Sequence, residues 1–381
     1  MLKKKYLLFP LLIFVAALVV DKLPFALGLQ DYFLNTFSFL NYDHKVRLKA
    51  ELKAYLQQPD RRKALVIFGN SRTMSFDNQQ LEREHPDWIL FNFSVPGGVS
   101  DYFLRYMEEF QAEGIRPDYI YFAVTPQAFN ATPATVMDEV MLNGLTPGFV
   151  FRHMHRSSVD DLSNYSEKQL FWSYKYRLSL RNILHRLRNG SAEAKQFRKF
   201  WEFTERSLED SRGSVFFAVG GKSPTDSEGM ARQARDIWRG FFSPFVLSED
   251  QMYFTEECLR IAGEMNVPAR LVWARVSPQL RALKEGGSAD PASSRIVQGD
   301  HPTVREVWQP ALDALANKYG RTMLDMNYGP GFSCERYYDA SHLAGDCFKE
   351  FADYLIGAIA LETKPETKPE ANQIEANAKA P

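Results

Sequence analysis

The stretch ALVIFGNSRT, residues 64–73, decides how the rest of the chain is read. An apolar run from Ala64 to Phe68 meets Gly69, and Asn70, Ser71, Arg72 and Thr73 follow. A continuous, partly β-branched run closed by glycine predicts a buried strand. A serine just past the end of a central strand sits where open α/β sheets place their ligands. There a hydroxyl is exposed on a rigid base, and helix N-terminal amides can hold the negative charge it develops. Ser71 is therefore either a nucleophile with partners elsewhere or a turn residue.

Outward from this stretch the pattern repeats. Residues 88–95 (WILFNFSV) predict a second strand, ending at Pro96-Gly97-Gly98. Ser100 is expected to cap a helix running to about residue 112, stopped by Gly114. Residues 119–124 (YIYFAV) predict a third strand, ending at Thr125-Pro126-Gln127. With a short helix at 78–84, this is the βαβ rhythm of a parallel sheet. The rhythm then lapses. Residues 130–250 are rich in aromatic and basic side chains, with helical patterns at 167–188 and 192–208 and a polar loop at 220–229. The strand pattern resumes at 269–276 and 322–326, with helices at 250–264, 305–318 and 346–361 and a polar loop at 286–300. The expected fold is a flavodoxin-like three-layer α/β/α sandwich with a mainly parallel five-stranded sheet and a large, mostly helical insertion.

The ends differ from the middle. Lys3, Lys4 and Lys5 precede an apolar run from Tyr6 to Val20, closed by Asp21 and Lys22. The run is shorter than the ~20 residues of a usual spanning helix, and lysine snorkelling and the partly apolar residues 23–29 can extend it. The basic cluster predicts an N-terminal transmembrane anchor with the remainder outside the cytoplasm, on its periplasmic or extracellular face. A cleaved signal peptide is the alternative. The expected organisation is an anchor at 1–29, a linker helix within 30–63, an α/β domain at 64–361 with the insertion at about 130–250, and a disordered Pro-rich tail at 362–381. A formal net charge of -1 supplies no global field for nucleic acid, so no such partner is expected. The chain has three cysteines, Cys258, Cys334 and Cys347. Outside the cytoplasm Cys334 and Cys347 can pair; three buried thiols are the alternative. His153 and His155 lack a third metal ligand nearby, so no metal is expected.

Four polar turns now stand in chain order, three after strands and one ahead of the last helix: Gly69-Asn70-Ser71, Asn92 to Gly97, Thr125 to Gln127, and Asp339-Ala340-Ser341-His342. In a parallel sheet all four reach one edge. The chemistry such a set can perform is acyl transfer. Ser71 attacks a carbonyl, His342 takes its proton, and Asp339 orients the imidazole and stabilises its cation. The amides of Ser71 and Gly97 and the side chain of Gln127 would hold the oxyanion, with glycine at 97 leaving the approach clear. Arg72 is a candidate for binding a carboxylate or phosphate on the substrate.

At these residues the sequence resembles the SGNH (GDSL-type) hydrolase superfamily, which carries Ser, Gly, Asn and His on four blocks in this order, with Asp three before His. Asn70 stands where that family usually has Asp, and Gln127 where it has Asn. The Pro-Gln version behind an N-terminal anchor looks like the membrane-anchored branch containing the D-alanyl-lipoteichoic acid biosynthesis protein D. The resemblance implies a serine esterase or O-acyltransferase, without cofactor, acting on acyl groups of cell-envelope polysaccharide or glycolipid, often beside a membrane-bound O-acyltransferase. It also allows a non-catalytic relative that keeps the fold as a binding partner of such an acyltransferase.

Overall fold

The computed structural model describes residues 3–34, 38–131, 137–176, 178–189, 191–215, 226–242, 245–284 and 304–363. Among them run five strands: β1 (Lys63–Phe68), β2 (Trp88–Asn92), β3 (Tyr119–Ala123), β4 (Ala269–Trp273) and β5 (Leu324–Asp325). They form one sheet in the order β2-β1-β3-β4-β5, and every pairing is parallel. The chain leaves β1 to one side for β2 and returns past it to β3. The switch point of the sheet therefore lies between β1 and β3, where such folds bind ligands.

Helices α1 (Lys3–Ala26), α2 (Gln30–Phe33) and α3 (Phe39–Leu56) precede the sheet. The βαβ crossovers use α4 (Asn78–Glu84) and α5 (Ser100–Glu113). Between β3 and β4 lie α6 (Met137–Gly144), α7 (Pro147–Arg152), α8 (Val159–Leu170), α9 (Trp172–Lys175), α10 (Leu180–Arg188), α11 (Ser191–Asp210), α12 (Ser227–Phe241) and α13 (Glu249–Glu264). The C-terminal part adds α14 (Pro278–Lys284), α15 (Val304–Lys318) and α16 (Phe348–Thr363).

Side chains of a strand alternate between faces, and here both faces are buried, so the strands are apolar throughout. Phe68 points to the α5 side, where its ring meets Phe93, Phe103, Phe110 and Phe122 at 5.2 to 5.9 Å. On the other face the Tyr121 hydroxyl donates to the Leu355 carbonyl of α16. Helices α5 and α13 pack together over one face, and α4 and α16 over the other. Helix α3 joins the same core through Tyr42, Leu48 and Leu52.

Several local expectations are corrected. The pattern at 167–188 is not one helix: the chain turns at Phe171 and again between Lys175 and Ser179, giving α8, α9 and α10. Ser179 caps α10 by accepting from the Asn182 amide, a stop signal that the apolar periodicity hid. Ser100 is the first residue of α5 rather than its cap, and its hydroxyl bonds Thr255 of α13 at 2.7 Å. Helix α12 begins at Ser227, inside the expected loop at 220–229. The strand expected at 322–326 shrinks to Leu324–Asp325. The loop at 286–300 and the tail beyond residue 363 lie outside the described residues.

Helix α1 holds a window, Leu8–Ala26, that is long and apolar enough to cross a membrane, and none of it is buried by the rest of the chain. With the disulfide described below, this points to a membrane-associated, extracytoplasmic location, as an anchor or a signal segment. Phe68→Ala is expected to lower unfolding stability by about 4 kcal/mol, since it empties the centre of the aromatic cluster. Chemical denaturation in detergent measures this.

Candidate active site

The first turn after β1 is shaped by Asn70. Its side chain accepts from the Arg72 amide at 3.1 Å and donates to Thr125 Oγ1 at 3.0 Å. It thus caps the short 3-10 turn Ser71–Thr73 and ties it to the end of β3. This is the physical account of asparagine at position 70: the residue must both accept and donate. Ser71 emerges exposed at the first position of the turn, while Arg72 and Thr73 are buried. Among the described residues neither the Ser71 nor the Gly97 amide has a protein acceptor. Gly97 adopts φ +68°, which glycine tolerates without strain.

Ser71 Oγ lies 2.7 Å from His342 Nε2. His342 Nδ1 lies 2.8 Å from both oxygens of Asp339. With the ring proton on Nδ1, the imidazole donates to the carboxylate and Nε2 accepts from the serine hydroxyl. Asp339 Oδ1 also accepts the Ser341 and His342 amides at 2.8 and 2.9 Å and the Ser341 hydroxyl at 3.1 Å. Burial pushes the Asp339 carboxyl up, but the bonds from His342 and Ser341 outweigh it and bring it to about 2. The role of Ser341 was not expected from sequence; its place between Asp339 and His342 is the signal that was there.

The loop carrying Asp339 and His342 is held from several sides. Cys334 and Cys347 form a disulfide across it, and Cys258 is a free buried thiol. The Tyr338 amide donates to the His342 carbonyl, and Ser277, after β4, donates to the Ala340 carbonyl. From the insertion, Gln233 Oε1 accepts the Ala340 amide at 3.3 Å.

Arg72 belongs to the lining of the same cavity as Ser71 and His342 and is buried there. It is 3% exposed, and its Nη2 donates to Gln127 Oε1 at 3.0 Å. Burial lowers its guanidinium to about 10, opposed by the Asp339 charge, so it stays cationic at neutral pH. Its bond to Gln127 fixes which end of that amide is the acceptor and leaves the Nε2 donor end free of it.

Ser71, Asp339 and His342 line a cavity of about 440 Å³. Met74, Val215 and Phe348 give it apolar walls, and Ser38, Asn41 and Thr204 close it from the side of α3 and α11. The insertion is pinned here: the Val215 amide donates to the Met74 carbonyl at 2.8 Å, and Asn92 Nδ2 reaches Thr73 O and Ser214 Oγ. His153 is far from this chemistry in partnership, bonding Glu108 at 2.7 Å.

The chain belongs to the family described as a protein of unknown function, DUF1574, whose model matches residues 1–359. The match takes in the apolar helix, the insertion and all residues of the cavity. No curated protein matches the chain.

Two outcomes follow from the Asp339 loop. Without reductant, denatured protein is expected to titrate one thiol, that of Cys258, and with reductant three; reduction should cost about 3 kcal/mol of stability. The Asp339 carboxyl is lower in the fold than the ~3.9 of an unfolded chain, so its stabilisation is complete above about pH 4 and lost as pH falls through about 2. The gap in unfolding midpoint between wild type and Asp339→Asn is expected to narrow across that window.

Proposed function

We propose that this DUF1574 member is a membrane-anchored, extracytoplasmic serine esterase or O-acyltransferase of the SGNH type, acting on acyl groups of envelope polysaccharide or glycolipid. The observation that carries the proposal is the hydrogen-bonded line from Ser71 Oγ through the His342 ring to Asp339, opening into a cavity. In this reading Ser71 Oγ attacks the ester carbonyl and its proton passes to His342 Nε2. Asp339, ionised at any physiological pH, stabilises the imidazolium. The oxyanion is met by the Ser71 and Gly97 amides and the Gln127 side chain. As the tetrahedral adduct collapses, His342 returns the proton to the leaving alcohol, and an acyl-enzyme remains on Ser71. Water or a sugar hydroxyl then attacks by the same route in reverse.

Arg72 is a positioning residue in this scheme. It binds Gln127 Oε1 and so directs the Nε2 donor, and its buried charge lies close enough to Asp339 to be felt there. The apolar walls from Met74, Val215 and Phe348 suit an acyl chain. The closure by α3 and α11 limits the water that can reach an acyl-enzyme, which favours transfer to a polymer hydroxyl.

A fluorophosphonate probe is expected to label the wild type and not Ser71→Ala. Absence of labelling on folded wild type would favour the non-catalytic partner of a membrane-bound O-acyltransferase instead. With a chromogenic ester, Ser71→Ala should lower kcat/KM by about 10⁶-fold and Asp339→Asn by about 10⁴-fold. Gln127→Ala and Arg72→Met should each cost about 10²-fold in kcat. The double variant should be about as slow as either single one, because both remove one oriented donor.

A further inference from the structure

Residues 180–188, LRNILHRLR, form α10 with Leu180, Ile183, Leu184 and Leu187 on one arc and Arg186 at its edge, beside Ile183. A soluble helix would turn the leucines inward. Here Leu180, Leu184 and Leu187 are 77%, 57% and 61% exposed. The arginine faces the protein instead. Arg186 Nη1 donates to the Asp31 and Leu34 carbonyls at 2.9 and 2.6 Å, and its guanidinium lies over the Phe197 ring. The helix is docked through Arg186 and the partly buried Asn182 and Ile183, with the three leucines left outside.

What it is docked on settles the direction of that apolar face. Asp31 belongs to α2, which follows directly on α1. The preceding part of the insertion grips α1 itself. Asp21 accepts the Trp172 and Ser173 amides at 2.6 and 3.0 Å, and Lys22 Nζ donates to the Leu170 carbonyl at 2.8 Å. Phe25 packs on Trp172 and Tyr176 at 5.1 and 4.9 Å. The two charged side chains that end the apolar run are thus hydrogen-bonded to backbone groups of the insertion. Further along α1, Phe14 meets the Phe171 ring at 6.1 Å, and no residue of the window Leu8–Ala26 is buried.

We propose that α10 is an interfacial helix: its leucines enter the acyl boundary of the bilayer that α1 crosses, and the exposed Arg181 and Arg188 beside them meet anionic headgroups. Helix α10 is docked on α2, the element next to α1, and an apolar arc flanked by arginines is complementary to an anionic leaflet. Long basic side chains reach headgroups while their stems stay in the apolar layer. The consequence reaches the cavity, because α10 leads into α11, which carries Thr204 of its wall. The cavity is thereby held beside the leaflet, where a lipid-linked acceptor or an acyl donor is presented.

This inference rests on the membrane-anchored part of the proposed function and not on its chemistry. Cys258 is buried and the other two cysteines are paired. A cysteine introduced by Leu180→Cys, Leu184→Cys or Leu187→Cys is then the thiol open to a fluorescent maleimide. The full chain is reconstituted in vesicles of phosphatidylethanolamine and phosphatidylglycerol bearing a doxyl quencher on the acyl chain. Loss of emission is expected at all three positions, weaker in pure phosphatidylcholine, and absent at the exposed Asp87→Cys, which precedes β2 at the end of the sheet away from Ser71. Full emission at the α10 positions in vesicle-inserted protein overturns the proposal. Disulfide linkage of two copies through Leu184→Cys without quenching also overturns it, by assigning the face to self-association. Ser71→Ala is read in parallel: it should leave quenching unchanged while abolishing probe labelling, so failure of one idea is separable from failure of the other.

Discussion

The bond from the Val95 amide to the Gly69 carbonyl, 3.1 Å long, is the contact on which the candidate site depends. It continues the β1–β2 pairing past the last strand residues and brings the turn that bears Ser71 against the turn that bears Gly97. The approach is tight. A Cβ on Gly98 would sit 2.1 Å from the Gly69 carbonyl oxygen, and a Cβ on Gly69 would sit 2.1 Å from Thr73 Oγ1. Backbone stands where side chains would otherwise be. From the other side Asn70 reaches Thr125 and fixes the turn against β3. Ser71 is therefore positioned by three neighbouring strand ends, each rigid because the sheet is buried on both faces.

The second half of the site has a different kind of support. Asp339 and His342 sit on an irregular loop, and such a loop needs tethers to hold an imidazole within hydrogen-bond range of a serine. The disulfide, the Ser277 and Gln233 contacts and the Ser341 hydroxyl supply them. The cost of burying the Asp339 charge is met locally by donors that come with the turn itself, two of them backbone amides. The wall opposite uses one more buried charge. Lys45 of α3 is fully buried, and its Nζ donates to the Gly213 carbonyl at 2.5 Å. Desolvation pushes that ammonium well down, and the bond joins α3 to the chain just past α11, where the cavity wall is formed.

Much of this was legible in the sequence, for a reason that also marks where it stopped. Strands β1 to β4 are short apolar runs bounded by Gly, Pro or polar turns, and a buried parallel sheet writes such runs plainly. The residues gathered at the cavity, Ser71, Asp339 and His342, follow from strand polarity, since parallel strands deliver their loops to one edge. The insertion was less legible because its helices are interrupted by local caps, such as Ser158 and Ser179, rather than by Gly or Pro. The setting of Arg72 was not legible for a related reason. Sequence gives residue type and neighbourhood but not the side of a 3-10 turn, and here the turn buries residue 72 in the cavity lining. Asn70 needed the structure altogether, because its partner Thr125 is 55 residues away.

The insertion's position argues for one mechanical unit from membrane to cavity. Asp21 and Lys22 bind the chain at α9, Arg186 binds α10 to α2, and Phe39 packs on Tyr176 and Trp201. Trp201 packs in turn against the cluster of Leu40, Met74, Leu208 and Val215, two of which line the cavity. Each step is a packed or hydrogen-bonded contact between neighbouring elements. A flexible stalk would let the cavity turn freely relative to α1. These contacts restrain it, and Ser38 and Asn41, at the start of α3, are themselves part of the cavity wall. Helix α3 is in this sense less a spacer than part of the floor of the site, and the insertion is what keeps it there.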